Sequence, residues 1–259
     1  MAPLADAPAA ALRAVHTVLT DLDDTLTLHG RLPAIAYDAL ESLTQAGLRV
    51  IVITGRPAGW CDLIARIWPV AGAIAETGAI GFMREGARLK RFVFGDGAGQ
   101  EALLQTAREI LAAEPGGALS SDQPFRLFDV AIDHGEEVPK LSPEAVARIV
   151  ARFKAAGAHV GVSSVHVNAW RGDYDKAVGA ERFLREGFGI ALKAEKERVL
   201  FAGDSINDAS LFACLSLTVG VANVRRYVDQ LPVPPAYVTK GEGGEGFAEL
   251  AAAILEARS

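Results

Sequence analysis

The sequence predicts an α/β protein in which a parallel sheet, covered by helices on both faces, carries an inserted α+β unit. Three observations lead there. Apolar runs rich in Val and Ile alternate with helical stretches from residue 14 to 68 and again from 197 to 257. Turn residues separate them, without internal repeats or low-complexity linkers. Between the two blocks, from 84 to 172, the texture changes to longer strands in which polar and apolar residues alternate. A wholly apolar strand needs cover on both sides, the situation of a parallel strand between helix layers. The expected architecture is a Rossmann-like, doubly wound core formed by 1–83 and 173–259, with 84–172 inserted.

The elements follow in order. AVHTVLTD (14–21) is rich in β-branched residues and forms the first strand. AIAYDALESLTQAG (34–47) has helical spacing and is closed by Gly47. LRVIVITG (48–55) is a second, fully apolar strand, and Pro57 opens a helix through Trp68. In the insert, LKRFVFG, FRLFDVAIDHG and HVGVSSVHVNAW read as strands, with helices near 100–114 and 143–156. The core then resumes with the strand ERVLFAGD, the helix NDASLFACL, the strands LTVGVA and AYVT, and the helix FAELAAAILEA. Residues 1 to 13, rich in Ala and Pro, are expected to be a loose tail.

Composition narrows the function. Of 259 residues half are hydrophobic, enough for a substantial core. Acidic residues exceed basic ones by 32 to 26, so there is no basic footprint for nucleic acid or an anionic membrane. Cys61 and Cys214 match neither a CxxC nor a zinc spacing and read as core thiols. No apolar run spans a bilayer and no basic segment precedes an apolar one, so a cytoplasmic monomer or small homo-oligomer is expected.

The chemistry gathers at strand ends. Asp21 and Asp23 close the first strand two positions apart, so their side chains point the same way. Two such charges about 4 Å apart repel by roughly 4 kcal/mol at an effective dielectric near 20, a cost that a bound divalent cation removes. Alone, the pair also reads as a solvated turn. The second strand ends in Thr54-Gly55-Arg56, which offers a hydroxyl and backbone amides to an anion. A later strand ends in GDSIND, with Asp204 and Asp208 around Ser205 and Asn207. Hard oxygen ligands of this kind suit Mg²⁺. Lys176 stands where the core resumes and supplies the cation a phosphate pocket needs.

In this order DLDDT (21–25), Thr54 in ITGR, Lys176 and GDSIND (203–208) resemble the four motifs of haloacid dehalogenase-like hydrolases, over nearly the whole chain. The insert between the second and third motifs looks like the IIB-type cap. SSVHVNAWRGDYDKAVG and PAYVTKGEGGEGFAEL are similar to the branch containing sucrose-phosphate, trehalose-phosphate and mannosyl-phosphoglycerate phosphatases. The resemblance implies that Asp21 is the nucleophile, Asp23 the general acid and base, and Thr25 a brace behind them. It implies that Thr54, Gly55, Arg56 and Asn207 hold the phosphorylated substrate and that Lys176 offsets its charge. Mg²⁺ is expected on Asp21, the Asp23 backbone carbonyl and Asp204, with Asp208 binding a water or orienting the others. Asp24 receives no chemical role beyond a cap or salt bridge.

Alternation along HVGVSSVHVNAW places Ser164, His166 and Asn168 on one face, where they would contact a sugar; the plain reading is a sheet face in water. Arg126, Asp129 and Asp133 are weaker candidates. GEGGEG (241–246) fits a dinucleotide-binding pattern by letter, but no βαβ unit follows, so it reads as a flexible turn. GDGAGQ (95–100) is a turn, His29 a surface residue, and His16, His134 and His159 show no ligand spacing. The expected activity is Mg²⁺-dependent hydrolysis of a small phosphorylated metabolite, most naturally a sugar phosphate. A sugar phosphomutase on the same scaffold and a receiver-like phospho-acceptor module are the alternatives.

Overall fold

The computed structural model describes residues 1–259. Its strands are β1 (Ala2–Pro3), β2 (Thr17–Thr20), β3 (Arg49–Ile53), β4 (Gly72–Ala75), β5 (Ile80–Glu85), β6 (Arg88–Val93), β7 (Ala118–Leu119), β8 (Val130–Asp133), β9 (His159–Val162), β10 (His166–Trp170), β11 (Val199–Gly203), β12 (Leu217–Gly220) and β13 (Tyr237–Val238). The helices are α1 (Ala9–Ala14), α2 (Ala34–Gln45), α3 (Ala58–Ile67), α4 (Gln100–Ala113), α5 (Pro143–Ala155), α6 (Lys176–Phe188), α7 (Ala209–Cys214) and α8 (Gly243–Arg258). None is long and apolar enough to cross a membrane.

Nine strands form one sheet in the order β1-β13-β12-β11-β2-β3-β4-β5-β6, parallel from β1 to β4 and antiparallel beyond. Period-2 alternation sorts its side chains between two cores. Val18, Val50 and Val52 face α1, α2, α3 and α8, whereas Leu19, Ile51 and Ile53 face α6 and α7. The chain runs outward from β2 through β3 and β4, then returns to β11 on its other side. That reversal opens a crevice at the carboxyl ends of β2 and β11, the place where open α/β sheets bind ligands.

The second sheet, β7-β8-β10-β9, is antiparallel. Val130, Ile132, Val167 and Ala169 pack one of its faces against Leu103, Ala107 and Ile110 of α4 and Ile149 and Phe153 of α5. The opposite face carries Asp133, His166 and Asn168, all buried, and Asn168 reaches the core at Gly55.

Several expectations change here. The expected boundary at 84 falls inside β5, and LKRFVFG forms β6 on the edge of the large sheet, so the change of layer comes after Val93. FRLFDVAIDHG (125–135) forms a strand only over β8, and its first residue ends a 3₁₀ turn at 123–125. HVGVSSVHVNAW is a hairpin of β9 and β10 rather than one strand. The expected tail is ordered: Ala2 and Pro3 pair with β13, and Leu4 and Leu12 join the core.

Candidate active site

Asp21 directly follows β2, and its N–H donates to the carbonyl of Ala202 at 2.9 Å, which extends the ladder to β11 by one residue. Asp204 directly follows β11. Four residues on, the Asp208 carboxylate accepts the N–H groups of Asp204 (2.9 Å) and Ser205 (3.1 Å) and closes the turn as a capping box. One oxygen from each of Asp21, Asp204 and Asp208 lies within 4.8 Å of the others, and all three residues are buried. Lys176 opens α6, whose N-cap Asp175 accepts from Val178 N–H. Its Nζ donates to Asp21 Oδ1 and Asp208 Oδ1 at 2.7 Å each and to Asn207 Oδ1 at 3.3 Å.

Three buried carboxylates thus face one ammonium. Burial, with Asp208 and Asp23 adding to it against Lys176, pushes the Asp21 carboxyl up to about 7. Burial and the nearness of Asp21 and Asp208 push Asp204 well above the carboxylate range. Burial works to lower the Lys176 ammonium, but Asp208 and Asp21 outweigh it and the net direction is up. Excess negative charge on hard oxygens, out of solvent and within mutual reach, fits a divalent cation. Asp204 is further fixed by Thr25 Oγ1 at 3.2 Å, the brace expected of Thr25, and by Asn223 Nδ2 at 3.1 Å. Asn223 also bonds the Asp24 carbonyl at 2.8 Å. Nothing in the sequence marked Asn223, which acts from a turn after β12.

Asp23 is not part of the side-chain cluster. Its carboxylate is gripped by Arg56, with Nε at 3.0 and 2.9 Å and Nη2 at 2.9 Å. The other side of that guanidinium meets Glu136 of the second sheet's unit, and its face stacks on Trp60 at 4.5 Å. Burial works against the Arg56 cation, yet Asp23 and Glu136 raise it on balance. Glu136 is held down at about 2 by His166 and Arg56 despite burial, and Asp133 presents it by accepting the N–H groups of Gly135, Glu136 and Glu137. Arg56, expected at the substrate, is therefore occupied by carboxylates in this arrangement. Asp24 makes no salt bridge; its backbone is left-handed (φ 55°), and its side chain lines a cavity.

That cavity, about 490 Å³, opens beside Asp23 and Arg56. Thr27, His29 and Arg226 line it from the core side, and Glu136, Lys140 and Ser164 from the other. The expected row of Ser164, His166 and Asn168 is divided. Ser164 sits in the hairpin turn at the cavity wall, and His166 turns to Glu136 (3.0 Å) and Ser120 (3.2 Å). Asn168 spends both amide hydrogens on the Gly55 carbonyl (3.1 Å) and Asp129 (2.9 Å).

Arg126, Asp129 and Asp133, the weaker candidates, are all buried parts of these contacts. Elsewhere, the glycines of GEGGEG are not a flexible turn: Gly243, Gly244 and Gly246 are buried in the first turn of α8, packed against the Leu26–Leu28 stretch and Thr239. His16 pairs with Glu195, and His159 stacks on Trp170.

No family model matches the sequence, and no curated protein matches it. Solved structures do. A Thermoplasma acidophilum protein, 0175, superposes with a TM-score of 0.73 at 18% identity, over 93% of this chain and 98% of that one. A haloacid dehalogenase-like hydrolase from Bacteroides thetaiotaomicron gives 0.66 at 17%, over 93% and 99%. The chain thus has the fold of the haloacid dehalogenase-like proteins, a parallel core with a cap. A sugar phosphatase described as HAD subclass IIB gives 0.64 at 15% identity, over 93% and 97%, so the likeness extends through the cap.

Proposed function

We propose that the protein is a Mg²⁺-dependent phosphomonoester hydrolase that works through an aspartyl-phosphate on Asp21 and acts on a small phosphorylated metabolite, a sugar phosphate. The observation that carries this reading is the convergence of Lys176 with Asp21 and Asp208, at 2.7 Å each, in the crevice at the ends of β2 and β11. Lys176 holds Oδ1 of Asp21, which leaves the second oxygen for attack on phosphorus. As the bond to the alcohol breaks, Asp23 gives a proton to the departing oxygen; it then takes one from the water that cleaves the acyl phosphate. Arg56 grips both oxygens of Asp23, so the first transfer goes with a loosening of that pair. Thr54 and Lys176 offset charge on the phosphoryl oxygens, where phosphoryl transfer has most to gain.

Asp21, Asp204 and the Asp23 carbonyl are the groups that would hold Mg²⁺, with Asp208, whose oxygens accept from Lys176, Asp204 and Ser205, binding a water or orienting the others; the ion would neutralise charge and orient the phosphoryl group. Only two of the thirteen residues that line the cavity beside Asp23 are hydrophobic, and Asp24, Glu136, Lys140 and Arg226 offer it polar groups, which suits a polyhydroxylated leaving group. The name of the structural neighbour supports the same class, as a sugar phosphatase.

The test is phosphate release from a panel of phosphorylated metabolites, with and without chelator, for the native chain and Asp21→Asn. Metal-dependent release from sugar phosphates, reduced in Asp21→Asn by about a thousandfold or more, is the expected result. Turnover that survives either the chelator or the substitution would contradict the mechanism.

A further inference from the structure

The three residues Thr54, Gly55 and Arg56 leave β3 with every carbonyl held. Thr77 N–H donates to the Thr54 carbonyl and Glu76 N–H to that of Arg56, at 3.0 Å each. Both donors lie on left-handed backbone, with φ of 50° at Glu76 and 58° at Thr77, which is uncommon for residues other than glycine. The carbonyl between them, on Gly55, is held by the cap: Arg126 Nη1 at 2.9 Å and Asn168 Nδ2 at 3.1 Å. Both donors are oriented by Asp129, which accepts from Arg126 Nη1 (2.9 and 3.1 Å) and from Asn168 Nδ2 (2.9 Å). Asp129 is placed in turn by the Glu76 carboxylate, which accepts the N–H groups of Leu127, Phe128 and Asp129 from the cap side and of Ala58 from α3. The Arg126 and Asp129 side chains have 0% exposure.

The Gly55 carbonyl shares a rigid peptide plane with the Arg56 N–H. That N–H donates to Thr54 Oγ1 at 3.0 Å. Because the Thr54 oxygen accepts there, its one proton is left to donate elsewhere. Turning the Gly55–Arg56 peptide therefore turns the Thr54 hydroxyl.

We propose that Asn168 and Arg126 are positioning residues for Thr54: the cap, through one peptide unit of the core, aims the hydroxyl that donates a hydrogen bond to the phosphoryl group on its way to Asp21. Asn168 is then no reader of the sugar, and docking of the cap completes the phosphate site. This rests on the phosphatase reading for the role of Thr54, and the test separates the two.

The probe is beryllium fluoride with Mg²⁺, a mimic of a phosphorylated aspartate, its binding followed by ¹⁹F NMR in the native chain, Asn168→Ala, Thr54→Ala and the double variant. Each single change is expected to weaken binding about tenfold, the worth of one positioned hydrogen bond, and the double variant to be no weaker than Thr54→Ala alone. With a turned-over substrate, Asn168→Ala lowers kcat by a similar factor while KM moves less than about threefold. Additive losses in the double variant, or native-like binding by Asn168→Ala, would overturn the proposal, since a direct contact or a general packing role gives additivity. No binding by the native chain would overturn it together with the role of Thr54. Binding by the native chain without hydrolysis of any panel compound would remove the phosphatase reading and leave this inference standing. Melting temperatures establish that the variants fold; Arg126→Lys, which keeps the charge between Asp122 and Asp129, enters the same cycle if Asn168→Ala does not.

Discussion

A lysine with no solvent exposure has to be held by anions, and Lys176 is held by two, Asp21 and Asp208. Lys176→Met fills a similar volume but leaves three buried carboxylates without their cation. Stability in metal-free buffer is expected to fall by about 3 to 5 kcal/mol in urea unfolding, the usual cost of breaking a buried pair from one side. Added Mg²⁺ should return part of that loss, because it opposes the same repulsion. At this scale the sequence was legible for position: Asp21 and Asp204 just past strand ends and Lys176 at the start of a helix were expected to meet, and they do. It was silent on Glu76 and Asn223. Glu76 accepts mainly from backbone N–H groups some fifty residues ahead, and Asn223 donates to the Asp24 carbonyl, 199 residues behind, as well as to Asp204. Backbone partners leave no mark in residue type.

Helix α6 can deliver Lys176 only if it lies close against the segment after β4. Gly179, one turn into α6, meets the backbone of Gly78, and a Cβ at 179 would run into it. Gly179→Ala is therefore expected to push the helix start outward, costing about 1 to 3 kcal/mol in denaturant unfolding despite alanine's better helix propensity. Activity should fall with it, since the Lys176 to Asp21 distance opens. Gly187→Ala, further along α6, meets only ordinary contacts and serves as the comparison.

Elements were readable where their periodicity had one interpretation, as in β3 with RVIVI. They were misread where two structures share a pattern. The alternation of β6 is equally that of a cap strand or of an antiparallel edge on the core, and only pairing with β5 decides. Asn168 was put on the correct face of its strand, but the face is buried against Gly55, and burial against a partner 113 residues away is not written locally.

For the whole molecule, the acidic crevice couples stability to pH and metal in opposite senses. The ordinary Asp value is 3.8, and in the folded chain burial and neighbouring acids lift Asp21 to about 7, with Asp204 also raised. A carboxyl raised on folding binds its proton more tightly in the folded state. Its contribution to stability is complete below the unfolded value and is lost as pH rises through the folded one. For these groups the metal-free Tm is expected to fall between about pH 5 and pH 8. Mg²⁺ should raise Tm more at the higher pH, where it no longer competes with protons. Scanning calorimetry at both values checks this, and equal metal shifts would place the ion elsewhere.

The outer rims of the large sheet bear on a different property. On one side the last strand, β6, carries Arg88, Lys90 and Arg91; on the other, β1 is two residues long and includes a proline. An incoming strand from another molecule finds repulsive cations at the first rim, and at the second a ladder too short and short of a donor. Extension of the large sheet by a strand from a second molecule is therefore disfavoured at both of its rims.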